Sequence, residues 1–297
     1  MFDVLVVGGG PAGLSAALML GRCRRHVLVC DLGQPRNRRS HALHGYLTRD
    51  GIAPAAFNEL GRGEMGSYGV QVRRVGVTGA RAVGDHYRVS LADGSEECAR
   101  YLLVATGVAD DLPAIPGFLD CYGQSLFHCP YCDGWEVRDR RLAAFGGGRE
   151  VAGLALGLKS WTGDVVVCTN GARVDRRLRE RLARNGIAIR TERVARLDHM
   201  DGALAGVVFA TGEPLPRDAL FFTTDQHLQS DLAIRLGCGT TGRGVVKTGS
   251  SCDTNVPRVF VAGDASRDAQ FVIVAAAEGV KAAVAINKAL QAEELKA

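Results

Sequence analysis

The stretch Phe2-Asp3-Val4-Leu5-Val6-Val7-Gly8-Gly9-Gly10-Pro11-Ala12-Gly13 decides the fold of this chain. Residues 2–7 are a short apolar run of strand type, and residues 12–21 read as a helix. The glycines between them match G-x-G-x-x-G. Between a strand and a helix that spacing has a physical use. Gly8 permits the tight turn, Gly10 lets backbone approach a pyrophosphate, and Gly13 lets helix and strand pack closely. Phosphate would rest on the helix N-terminus, opened by Pro11 and Ala12, where unpaired N–H groups and the helix dipole favour negative charge. Residues 26–30 form a second strand ending at Asp31, whose carboxylate can accept from a ribose hydroxyl.

The rest of the chain extends this opening. Residues 34–52 are polar and glycine-punctuated, and are predicted to cross the active-site face. Residues 87–91 alternate in strand fashion, and Asp93-Gly94 is a hairpin signal. Residues 101–105 form another strand, closed by Thr106-Gly107. The middle then repeats the beginning: residues 141–145 lead into Gly146-Gly147-Gly148, a helix to residue 161 and a strand at 164–168. A late strand at 259–262 runs into Gly263-Asp264, and a long apolar helix covers about 271–290. The expected fold class is α/β, with two nucleotide-binding (Rossmann-like) domains, the second inserted in the first. The discontinuous FAD-binding domain is predicted over 1–113 and 246–297, and the pyridine-nucleotide-type domain over 114–245. The glycine motif alone does not separate FAD from NAD. Thr106-Gly107 and Gly263-Asp264 point to FAD: an aspartate at a strand end can bind a ribityl hydroxyl, and the helix behind it can direct its N-terminus at the ring.

Bulk properties bound the function. The chain has 297 residues, 46% of them hydrophobic and 23% charged, which is enough to bury a full core. A net charge of +4, from 36 basic and 32 acidic side chains, is too balanced to argue for nucleic-acid or membrane partners. No apolar run reaches the roughly 18–20 residues of a spanning helix. Of nine cysteines, Cys23, Cys30, Cys98, Cys121, Cys168, Cys238 and Cys252 are scattered and read as free buried thiols, the usage of a reducing, cytoplasmic compartment. A core strand beginning almost at residue 1 leaves no room for a signal peptide.

The remaining two cysteines lie in His128-Cys129-Pro130-Tyr131-Cys132-Asp133-Gly134. Two cysteines three positions apart can close a small disulfide ring, one thiolate attacking a substrate while the other resolves the mixed disulfide. The C-x-x-C arrangement also lowers thiol pKa, and Asp133 supplies a carboxyl able to shuttle protons. Zinc is the competing reading, with Cys121 and His128 as recruits, but no second C-x-x-C or H-x-x-x-H completes four ligands. Purely structural packing of the pair, and Cys121 as a third redox cysteine, are further alternatives.

Taken together, these motifs resemble the low-molecular-weight thioredoxin reductase family over nearly the whole chain. The resemblance implies that Gly8, Gly10, Gly13, Thr106, Asp264 and Gln270 contact FAD. It implies that Cys132 lies over the flavin, Cys129 faces substrate and Asp133 is the acid/base, in a homodimer. Typical members bind NADPH in the inserted domain, using alanine at the third motif position and arginines after the next strand. Here Val151 occupies that position, and is expected to push the helix from the strand. The strand ends Cys168-Thr169-Asn170-Gly171, with Arg173, Arg176, Arg177, Arg179 and Arg181 following on what reads as a solvated basic helix. NADPH is therefore expected to serve poorly. The function implied is FAD-dependent thiol–disulfide exchange with a thioredoxin-like protein or a small dithiol, with ferredoxin or oxygen as alternative electron partners. An ordinary NADPH-dependent reductase, an oxygen-dependent dithiol oxidase and a non-catalytic flavin redox sensor stay open. Pro35-Arg36-Asn37 with His41, His44 and Gly45 also looks like the reductase-like branch that includes dithiol oxidases, so that either histidine could serve as a base near substrate or be a locally bonded loop residue.

Overall fold

The computed structural model describes residues 1–266 and 269–295. The chain divides into two compact units: residues 1–38, 46–109 and 226–297 form the first, and 39–45 with 110–225 form the second.

The first unit is built on β1 (Phe2–Val7), β2 (Val27–Cys30), β3 (Gln71–Arg73), β4 (Val77–Val83), β5 (His86–Leu91), β6 (Glu96–Val104) and β17 (Val259–Val261). Strand order β3-β2-β1-β6 is parallel, and β17 adds in parallel register to β6, with Val259 opposite Leu102. The near-continuous apolar runs of β1, β2, β17 and the second half of β6 reflect burial on both faces. One face carries α1 (Pro11–Arg22) and the long α8 (Val272–Glu294), which close over Val4, Val6, Val29 and Leu103. The first half of β6 instead pairs antiparallel with β5, and β5 with β4. On that opposite face Leu5, Leu28 and Leu102 meet Leu232, Ala233, Cys238 and Val246. α2 (Pro54–Gly66) packs beside α1 and contributes Met65 to the core.

This second packing moves a boundary. Residues 226–245 belong to the first unit, so the crossing lies at 225/226 instead of the expected 245/246. The cause is α7 (Leu232–Arg235), whose apolar side chains complete the first unit's core. Residues 39–45 likewise group with the second unit, so the polar stretch after β2 is divided.

The second unit centres on a parallel sheet of β8 (Leu126–Phe127), β9 (Leu142–Phe145), β10 (Val165–Cys168), β11 (Ala188–Arg190) and β15 (Ala219–Phe222), ordered β11-β10-β9-β15-β8. α5 (Gly148–Leu158) and α6 (Arg176–Arg184) bury Val151, Leu158 and Leu182 against one face. The antiparallel strands β12 (Val194–Met200), β13 (Ala203–Phe209) and β14 (Leu215–Pro216), with α3 (Phe118–Cys121), cover the other. Val151 does not keep α5 off the sheet. Its side chain is fully buried among Leu142, Ala144 and Val167, so the core absorbs the added bulk. Two short strands, β7 (Val108–Asp110) and β16 (Gln226–Leu228), form a separate ribbon. Among the described residues no helix is long and apolar enough to cross a membrane.

Candidate active site

Cys132 lies on α4 (Pro130–Asp133), a single turn shortly after β8, and Cys129 stands just before it. Cys129 occupies the N-cap position in extended conformation, and Pro130 starts the turn at no cost because its missing N–H has no helical partner there. Cys132 N and Asp133 N both donate to Cys129 O, at 3.1 and 3.2 Å. That turn brings the two cysteine Cα atoms to 5.3 Å and joins them in a disulfide. Gly134 closes the turn, and no side chain fits there: a Cβ would lie 2.8 Å from the Trp161 ring. Trp161 meets Tyr131 edge-on, with centroids 5.7 Å apart. Tyr131 and Trp135 are largely exposed beside the disulfide, and the Arg138 guanidinium sits 4.1 Å above the Trp135 ring.

Asp133, next to Cys132, is mostly buried. Burial first, and then the negative charge of Glu136, push its carboxyl up to about 7, while His44 pulls the other way. A carboxyl so placed can donate or accept a proton at neutral pH. His44 Nε2 lies 3.5 Å from Glu136 Oε1, whereas His41 is exposed. Of the two loop histidines, only His44 is thus part of this cluster. His128 turns its ring toward Phe222, centroids 6.4 Å apart. Cys121 is buried against Phe118 and Leu126, away from water, and burial raises its thiol pKa. Cys30 and Cys168 are similarly pushed up, to about 11 and about 12, and five of the seven remaining cysteines are buried, with Cys23 and Cys98 half-buried. Among the described residues no three His, Cys, Asp or Glu side chains gather as a metal site would need.

In the first unit, parallel strands place the glycine-motif residues along one sheet edge. The order β2-β1-β6-β17 sets Asp31, Gly8–Gly13, Thr106-Gly107 and Gly263-Asp264 after consecutive carboxyl ends, the position where doubly wound sheets bind nucleotides. A Cβ on Gly13 would collide with the Gly8 carbonyl, so strand and helix meet backbone to backbone. A Cβ on Gly10 would meet nothing within 4 Å, so the loop's outer surface is open. Asp31 lies under Gly9 and 3.7 Å from the Arg62 guanidinium. Asp264 accepts from Arg36 at 3.4 Å, Arg36 also donates to Gln270 Oε1 at 2.6 Å, and Gln270 donates to Gln226 at 2.7 Å. The buried Glu278 accepts from Gly263 N at 3.1 Å. Open space before the loop, unpaired first-turn N–H groups and a carboxylate at the next strand's end fit the pyrophosphate and ribose of a dinucleotide such as FAD.

Sequence reasoning gave Arg36 no role toward Asp264 and Gln270, and did not find Arg62, Glu136 or Glu278. Arg36 reaches Asp264 across 228 positions and His44 reaches Glu136 across 92, so no local spacing marks them.

After β10 the turn is held by its own side chains. Thr169 Oγ1 donates to Ala172 O at 2.9 Å, and Asn170 Oδ1 accepts from Val194 N at 2.9 Å. Arg176 pairs with Glu180 on α6, and Arg190 stacks on Phe209 and pairs with Glu192.

Two Rossmann-like units, one carrying a Cys-x-x-Cys disulfide beside a buried carboxyl, define a flavin-linked disulfide oxidoreductase. The chain belongs to the pyridine nucleotide-disulphide oxidoreductase family, whose model matches residues 2–279. It is 32% identical to a probable thioredoxin reductase of Arthroderma benhamiae, over 100% of this chain and 82% of that one. Among solved structures, a putative thioredoxin reductase TrxB from Bacillus anthracis superposes with a TM-score of 0.95 at 32% identity, covering 99% of this chain and 100% of that one. HlmI gives a TM-score of 0.95 at 36% identity, over 99% and 94%. The chain is thus a thioredoxin-reductase-like, FAD-dependent disulfide oxidoreductase.

Proposed function

We propose that this enzyme exchanges electrons between FAD, a redox-active Cys129–Cys132 disulfide and a dithiol or disulfide substrate, and that NADPH serves it poorly. The observation that carries the reading is the one-turn disulfide next to Asp133, whose carboxyl burial pushes up to about 7. FAD, when bound, supplies a two-electron carrier, held by Gly8, Gly10, Pro11, Ala12, Gly13, Asp31, Thr106, Gly107, Gly263, Asp264 and Gln270. Substrate thiolate attacks Cys129, the Cys129–Cys132 bond breaks, and Cys132 leaves with the electron pair. Asp133, protonated below about pH 7, delivers a proton to the leaving thiolate. The second substrate thiol then displaces Cys129, releasing a substrate disulfide; the reverse sequence reduces a disulfide.

Support for poor NADPH use comes from the second unit. Asn170, in the turn after β10, is committed to Val194, and the arginines on α6 are exposed on a helix face. A thioredoxin-like protein and a small dithiol both suit the half-buried disulfide with its exposed aromatic neighbours. Resemblance supports a homodimer, and the free thiols suit a reducing compartment. The test is anaerobic bleaching of the bound flavin by dithiothreitol and by NADPH at equal concentration. Fast bleaching by dithiothreitol and slow bleaching by NADPH is expected. Fast, saturable reduction by NADPH would restore an ordinary NADPH-dependent reductase.

A further inference from the structure

We propose that Glu136 is a positioning residue of the disulfide centre: it orients His44, and the His44–Glu136 pair holds the second of the two protons that dithiol–disulfide exchange moves, Asp133 holding the first. The inference rests on the exchange reading above and deepens it.

The chemistry sets the need. A dithiol that reduces Cys129–Cys132 loses two thiol protons and two electrons, and both cysteines end as thiols. First, one substrate thiol passes its proton to the His44–Glu136 pair. Its sulfur then bonds to Cys129 Sγ, and Cys132 leaves with the bonding pair and takes the proton of Asp133. Second, the other substrate thiol passes its proton to the Asp133 carboxylate and attacks the substrate sulfur bonded to Cys129. Cys129 leaves with that bonding pair and takes the proton held by the pair. The substrate disulfide is released, and both proton holders return to their starting states.

While Asp133 holds its proton it cannot take that of the first attacking thiol, so a second acceptor in the same cluster serves that step. The segment 39–45 belongs to the disulfide's own unit and brings His44 Nε2 to 3.5 Å from Glu136 Oε1. Glu136 lies three positions past Asp133, and both side chains of the pair are partly shielded, at 21% and 38% exposure. A carboxylate at one ring nitrogen fixes which nitrogen carries the proton. The charges acting on Asp133 are those of Glu136 and His44; Arg138 lies over Trp135 and His128 toward Phe222.

The experiment compares FAD-loaded wild type with Glu136→Gln, His44→Asn and the double variant. Anaerobic flavin bleaching by dithiothreitol is followed from pH 6 to 9. The ratio of variant to wild-type rate cancels the ionisation of the probe itself. Glu136→Gln is expected to slow bleaching by about 10- to 10²-fold, with a ratio that changes across the range. In the His44→Asn background the same substitution is expected to have a smaller effect, what remains being the loss of Glu136's charge beside Asp133. A ratio of one, a pH-independent ratio, or an undiminished Glu136→Gln effect without His44 would overturn the proposal while wild-type bleaching stands. Absence of bleaching in wild type would overturn the exchange reading and this proposal together.

Discussion

Asparagine at position 133 keeps the shape of Asp133 and removes its charge. The folded protein raises this carboxyl from 3.8 to about 7, chiefly by burial. A shift of about three units, at about 1.4 kcal/mol each, makes the buried carboxylate cost on the order of 4 kcal/mol as an upper bound. The sign follows from proton binding. The folded state holds the proton more tightly than the unfolded state, so the cost is absent below about pH 4. It grows by about 1.4 kcal/mol per pH unit up to about pH 7 and is complete above it. Asp133→Asn carries no such cost. Its stability relative to wild type should therefore rise by up to about 4 kcal/mol between pH 4 and 8. The chain has two tryptophans, Trp135 and Trp161, both in the disulfide's unit, so their fluorescence reports that unit's denaturant transition. Measurements at pH 5, 6, 7 and 8, with the disulfide intact and equal FAD, decide the matter. A wild-type-to-variant difference that stays constant across that range would refute the burial of a titrating carboxyl here. The same variant should exchange thiols about 10²–10⁴-fold more slowly if Asp133 is the proton donor.

Three further outcomes are expected. Gly13→Ala sets a methyl against the Gly8 carbonyl, so the purified variant should show a reduced ratio of flavin to protein absorbance; full FAD content would contradict the cradle. Cys129→Ser and Cys132→Ser should each abolish disulfide exchange while retaining FAD, and turnover by either in a dithiol assay would remove the pair from the mechanism. Glu293 is partly buried, yet hydrogen bonds from Tyr101 and Arg100 and the charge of Arg258 hold its carboxyl below the ordinary range. Glu293→Gln should cost about 1–2 kcal/mol near pH 7. The cost should shrink as pH falls below about 4.5, where the unfolded carboxyl also protonates; a pH-independent cost in thermal unfolding from pH 7 to 3.5 would count against the ion network.

Much of the site is legible in the amino-acid sequence, and the reason is range. The strand β1, the glycine turn and α1 announce themselves within twelve residues, because tight turns, phosphate approach and helix packing are local demands on backbone geometry. The Cys129–Cys132 pair is legible for the same reason: one helical turn brings positions i and i+3 together whatever surrounds them. The duplicated strand–glycine–helix unit around Gly146 likewise rests on local pattern, although Val151 is no obstacle to packing because neighbouring small residues such as Ala144 make room.

The antiparallel strands β4 and β12–β14 and the helix α2 carry weaker signals, since half-exposed strands and a polar helix lack a strong apolar pattern. The crossing at 225/226 cannot be placed from composition, because α7 is four residues long and declares its unit only by packing against Leu5 and Leu28. From the sequence alone come the α/β class, the two nucleotide folds and the Cys129–Cys132 pair, all written in short-range spacing. Only the tertiary structure chooses His44 over His41, ties Arg36 to Asp264 and Gln270, and raises the Asp133 carboxyl to about 7. Those outcomes depend on burial and on charges brought together from distant positions, and burial is a property of the folded chain.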